Sequence, residues 1–246
     1  MMFTSHLVQI GLAHPTIKVH VSSGLHSQFA LALSPKLEMV MKGIKKEKSL
    51  VAPCVRLPIT LDIMTKYMEM LNQNPHNRDN IMFWAACCLA FFGFLRCSEF
   101  TVPSQSEFCP RTHLTLQDLV IDSRTKPTMI QVTIKQSKTD PFRQGCKLCL
   151  GKTGANIFPI SAILPYLAAR GSCQGPLFIL DGGTYLTRQI FTSQLSAVLE
   201  QVGIDSKGYN THSFCIGAAT TAKKKGTVDR EIFTLKIIHA KNFCGV

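Results

Sequence analysis

The chain has 246 residues, 46% of them hydrophobic, which supports a real core and excludes a disordered polymer. Lys+Arg number 27 against Asp+Glu 15, a formal +12, and such an excess favours a polyanionic partner, most simply nucleic acid, although a solvated basic surface would give the same total. No run is long enough for a membrane span and no signal peptide opens the chain. The ten cysteines lie among apolar neighbours, as at Cys87-Cys88 and Cys97, which suits a reducing compartment better than a disulfide framework.

In chain order, HPTIKVHVSSG reads as the start of a short helix, with Pro15 in its first turn and Ile17, Val19 and Val21 apolar. Gly43 to Ser49, GIKKEKS, is basic and polar and is the best linker candidate. From Leu57 the pattern firms up. Thr60 is an N-cap for a helix with Ile63, Met64, Tyr67, Met68 and Leu71 on one face. Asn72 to Asn77 is a loop, and Asp79 can cap the next helix. That helix, Ile81 to Leu89, is apolar on every side and therefore buried. It ends at Gly93, and FFGFLRCSEF places Arg96 within a turn of its end. A guanidinium there is costly unless it meets an anion or a carboxylate, and Glu99, three residues on, could orient it. A structural Arg–Glu pair is the plainer account of that spacing.

Between Leu114 and Ile134 the period changes to two, so LTLQDLVID and MIQVTIK read as half-buried strands around a turn at Arg124 to Pro127. KQSKTDPFRQG follows, with Lys138 near a strand end, and CKLCLGK is a third strand. Ile160 to Ala169 reads as a helix that Pro165 interrupts or bends. Leu177 to Leu180 reads as a short strand, and Asp181-Gly182-Gly183 as a turn. Thr187 caps an amphipathic helix through Ile190, Phe191, Leu195, Val198 and Leu199, broken by Gly203 to Gly208. Thr211 to Lys225 is a helix whose first turn carries His212 and Cys215, and Val228 to His239 forms one more.

Three blocks, FFGFLRCSEFTVPS, IKQSKTDPFRQG and YNTHSFCIGAATTAKKKG, resemble in this order the signature blocks of tyrosine recombinases, nearest those of the DIRS and Crypton mobile elements. The resemblance runs from about Pro15 to about Leu235. It implies an α+β, mainly helical catalytic-core fold, the DNA breaking-rejoining fold, with a small antiparallel sheet packed on helices. Residues 1–50 would be the remnant of a helical, SAM-like core-binding domain and a linker, and 51–246 a catalytic domain incomplete at its C-terminal end. Double-stranded DNA is the implied partner, with self-association on it, in the nucleus, with no membrane and no cofactor.

The implied chemistry is metal-free phosphoryl transfer, in which a tyrosine hydroxyl attacks a DNA phosphodiester and a 5′ hydroxyl leaves. Two guanidiniums suit the charge on the non-bridging oxygens, while an imidazole and a lysine handle protons. Arg96 matches the first arginine, Lys138 the lysine (Lys135 as fallback) and His212 the histidine of the His-x-x-Arg box. That box's arginine falls on Cys215, whose thiol cannot hold two phosphate oxygens. The expected Leu-Gly-Arg-Trp-like segment reads LKIIHAKNFCGV, where His239 is a weak candidate for the second histidine. Tyr67, Tyr166, Tyr185 and Tyr209 all precede His212, so no nucleophile is matched. The expectation is a degenerate copy that binds DNA but does not cut it; a non-catalytic binding or interaction module domesticated from a transposon is the alternative, and a remnant without a selected role a third.

Two decoys are set aside. GCKLCLGKT differs from a Walker loop, with five residues between Gly145 and Gly151 instead of four. Cys146 and Cys149 form one C-x-x-C with no second pair at zinc-site spacing.

Overall fold

The computed structural model describes residues 56–73, 76–123, 125–137, 144–152 and 157–224, with scattered positions before residue 56. The chain divides into two compact units, Met1–Val55 and Arg56–Val246. In the first, Thr16 and Ile17 are helical, as are Gly43, Ile44 and Lys46 within the expected linker run. The expected helix at 228–239 lies outside the described residues.

In the second unit the hydroxyl caps behave as their chemistry dictates. The Thr60 side chain accepts from the Ile63 amide at 3.3 Å and opens α1, Leu61–Asn72. The next helix, α2, spans Arg78–Phe92, and its cap is Asn77, whose side chain accepts from the Asn80 amide at 3.0 Å. Asp79, the expected cap, instead accepts from the Asp181 amide at 2.7 Å and ties the helix start to a distant turn. From Met82 to Phe91 every residue of α2 is buried, so this helix is the axis of the core.

A three-stranded antiparallel sheet lies beside it, in the order β1 (Leu119–Ile121), β2 (Met129–Ile134), β3 (Cys146–Gly151). Ile130, Val132 and Ile134 face the core from the central strand, paired with Leu150, Leu148 and Cys146. The first strand is shorter than its alternation predicts. Buried Asp118 accepts from both the amide and the hydroxyl of Thr115, each at 2.7 Å, which winds Leu116–Asp118 into a 3-10 turn.

Helix α4, Pro159–Arg170, runs through Pro165 as one span. The expected strand at Leu177 to Leu180 is only an isolated bridge, between Ile179 and Tyr185. Beside it, buried Arg170 brackets the segment, its guanidinium donating to the carbonyls of Pro176 (2.8 Å) and Leu177 (2.9 Å). Thr187 caps α5, Arg188–Gln201, and α6 covers Ser213–Lys224. The short α3, Cys97–Phe100, follows the end of α2.

Gly217 allows α6 to lie against the strand-like lead-in to α1, because a Cβ there would sit 1.7 Å from the Ile59 carbonyl oxygen. The Ile59 amide also donates to the Ser213 carbonyl at 3.0 Å. Gly217→Ala is expected to lower stability by about 3 kcal/mol or more, since backbone must move to admit the methyl. Urea midpoints measure this, and an unchanged midpoint would contradict the packing.

Candidate functional site

Helix α2 ends in a Schellman turn. The Leu95 amide reaches back to the Ala90 carbonyl at 3.0 Å, and Phe94 takes φ 51° where glycine is usual. A left-handed non-glycine residue costs roughly 1–2 kcal/mol. That turn delivers Arg96 to the first position before α3, where its amide donates to Glu99 Oε2 at 2.7 Å. Its Nη1 donates to Glu99 Oε1 at 3.2 Å and to Ser137 Oγ at 3.1 Å, and Ser137 Oγ donates to Glu99 Oε1 at 2.6 Å. The Glu99 side chain is 7% exposed and that of Arg96 38%. The carboxylate is thus a buried anchor that orients a guanidinium still reachable from solvent.

Cys215 meets the same turn from α6. Its thiol lies 3.2 Å from the Leu95 carbonyl and 3.5 Å from that of Phe94, both within reach of its S–H. His212 stands one residue before the first turn of α6, where the sequence places it inside that turn, and its side chain is exposed. Its amide is held by Asn210 Oδ1 at 2.8 Å, and its carbonyl accepts from Ile216 at 3.1 Å.

The structure therefore brings three of the sequence blocks together: Arg96, the strand exit at Ser137, and Cys215. Lys138, one residue after Ser137, lies outside the described residues, as does His239. Lys135, the fallback, has its ammonium committed elsewhere. It contacts Asp118 Oδ2 at 2.5 Å and donates to the carbonyls of Pro110 (2.7 Å) and His113 (3.2 Å). It braces the loop between α3 and the sheet.

The tyrosines take structural positions. Burial pushes the Tyr67 phenol well above its ordinary range, and Trp84 and Phe83 pack on its ring. Burial also raises Tyr166, whose hydroxyl donates to the Leu177 carbonyl at 2.8 Å and accepts from the Ile179 amide at 2.9 Å. Tyr185 packs edge-on to Phe108, and Tyr209 packs against the core. Alternation along β3 sends the Cys146 and Cys149 side chains to opposite faces, so they do not form a metal pair.

Sequence reasoning missed the cleft beside Arg96. It has a volume of about 510 Å³, and its walls include Ser98, Thr112, His113, Gln136, Ser137 and Arg188. His113 Nδ1 accepts from the Cys109 amide at 2.9 Å, so a neutral ring carries its proton on Nε2. Burial pushes the Cys97 thiol up; its hydrogen bond with Thr101 and the positive charge of Arg188 oppose this, and Cys215 adds to it. The available signal was Arg188 itself, a cation in the first turn of a helix, where the dipole disfavours it.

No family model matches the sequence, and no curated protein matches it. Solved structures do. XerH recombinase bound to its difH substrate aligns at TM-score 0.52 and 14% identity, over 73% of this chain and 47% of the XerH chain. XerA recombinase aligns at 0.50 and 12% identity, over 98% of this chain and 92% of its own. The Tn1549 transposon integrase in complex with transposon right end DNA aligns at 0.56 and 11% identity, over 97% and 75%. This is the catalytic-core fold of the tyrosine recombinases. At such identities the likeness establishes the tyrosine-recombinase fold alone, and the chain spans about half the length of the XerH protein.

Glu99→Ala removes three hydrogen bonds around a buried carboxylate and is expected to cost about 2 kcal/mol, with Glu99→Gln milder because it keeps the shape. Chemical denaturation of the two variants checks the order; equal stability of Glu99→Ala and the parent would mean the anchor contributes nothing.

Proposed function

We propose that this chain is a double-stranded-DNA-binding protein of the tyrosine recombinase and integrase type, descended from a mobile element of the DIRS or Crypton kind, that grips the DNA backbone without cutting it through its own tyrosines. The approach of Arg96, the strand exit at Ser137 and Cys215 of α6 to one turn supports the reading. Unrelated chains have no reason to bring these three blocks to one turn. The +12 formal charge is in keeping with a polyanion partner, and the XerH and Tn1549 integrase neighbours are described with bound DNA.

In this reading Arg96, held by Glu99, supplies one guanidinium to a phosphodiester, and Lys138 and His212 would handle protons. Cys215 cannot supply the second. Loss of a group that stabilises transition-state charge costs on the order of a hundred- to a thousandfold in rate. The Cys215 S–H is also engaged by the Leu95 and Phe94 carbonyls, so its one proton is not directed to a DNA phosphate. The two buried tyrosines are held neutral by their surroundings. The protein would work in the nucleus, where its cysteines stay reduced, and would associate with further copies on DNA. Residues 1–50 would act as a helical DNA-clasping element.

Two measurements test this. Affinity for a duplex should fall steeply and log-linearly with salt, by about 0.9 in slope for each phosphate held; a flat response counts against the reading. On a nicked suicide substrate no covalent protein–DNA adduct should form, and an adduct mapped to Tyr67, Tyr166, Tyr185 or Tyr209 would refute the inactivity.

A further inference from the structure

The cleft beside Arg96 has a use that the recombinase-like blocks do not assign. We infer that it is a second backbone-phosphate site, with Arg188 as its guanidinium and the Ser98, Thr112 and His113 side chains as neutral donors. It rests on the DNA-binding reading for the identity of the phosphate's carrier.

Three observations carry it. Arg188 lines the cleft and is exposed, and among the described residues no carboxylate pairs with it. Ser137 is shared: it lines the cleft and its Oγ is 3.1 Å from Arg96 Nη1, so the two guanidiniums border one polar wall. The polar side chains on that wall that can present hydrogens to an anion outnumber its acidic groups, since no Asp or Glu lines it. An unpaired guanidinium facing hydroxyls and an imidazole, with no carboxylate, is matched to a phosphodiester and not to a cation or a metal.

The position also bears on residue 215. Residue 215 brings no guanidinium from α6, whereas Arg188 brings one from α5, and its positive charge acts on Cys97, the residue next to Arg96. The backbone would then be held by Arg96 and Arg188 at neighbouring phosphates. That arrangement positions DNA but does not surround one phosphorus with two arginines, which agrees with binding without cleavage.

The test uses the full chain. For duplex binding followed by fluorescence anisotropy, Arg188→Gln should weaken affinity several-fold and lower the salt slope by about 0.9, one phosphate contact. Arg188→Lys should keep the slope while weakening affinity, because the charge stays and the fork is lost. In parallel, inorganic pyrophosphate is titrated while the Arg188 Nε–Hε resonance, assigned by its loss in Arg188→Gln, is followed. A saturable shift of that resonance is expected. An Arg188→Gln chain with unchanged slope and affinity, or an Arg188 resonance unmoved by pyrophosphate, overturns the inference. If pyrophosphate shifts it but duplex binding shows no salt dependence, the cleft stands as an anion site and the DNA reading falls. If the parent binds DNA with a steep slope and Arg188→Gln does the same, the reverse holds.

Discussion

Phe191 is the constraint on which the site depends. Its ring is fully buried and meets Phe83 at 5.1 Å, Phe100 at 5.1 Å and Phe214 at 5.6 Å between centroids. Those partners come from α2, α3 and α6. Phe191 is three residues after Arg188, Phe100 four after Arg96, and Phe214 lies between His212 and Cys215. One aromatic cluster therefore ties together the elements that carry Arg96, Arg188, His212 and Cys215. Edge-to-face and tilted rings tolerate little displacement, and a large side chain removed there would typically cost about 3–5 kcal/mol.

The site is assembled from chain ends of rigid elements and not from their middles. Arg96 follows the end of α2, Ser137 the end of β2, Arg188 the start of α5, and His212 the start of α6. Helix and strand termini are where backbone groups lack partners, and here side chains and neighbouring carbonyls satisfy them. Cys215 is the clearest case. Its thiol lies against the carbonyls of the turn that presents Arg96, so this residue supports that turn from α6.

Arg170 and Arg96 show how burial sorts two arginines of one chain. Arg170 is buried, and its guanidinium is surrounded by the carbonyls of Gly171, Cys173, Pro176 and Leu177, so it acts as a bracket for the segment after α4. Arg96 is anchored on one side by Glu99 and Ser137 and keeps over a third of its side chain in solvent. The first is structural by satisfaction; the second is arranged to meet something from outside.

Several features were decided by local sequence. The all-round apolar run of α2, the threonine caps at 60 and 187, the alternation of MIQVTIK and the Arg96–Glu99 spacing each follow from rules acting within one turn or strand, and the structure reproduces them. The three motif blocks also announced the fold by resemblance. Other features could be settled only by contacts far apart in the chain. Asp79 looks like a cap but is drawn to the Asp181 amide. Lys135 stands in the sequence as the fallback for Lys138, and Asp118, folded back, takes its ammonium. Leu177 to Leu180 reads as a strand, but it makes one isolated bridge, at Ile179, and its first carbonyl goes to Arg170 and Tyr166. The Arg188 cleft has no local pattern at all, because its walls come from α3 and the loop after it, the exit of β2 and the start of α5. A periodicity reports which face of an element is buried; which partner a polar group finds there depends on long-range geometry, and that is a property of the folded chain.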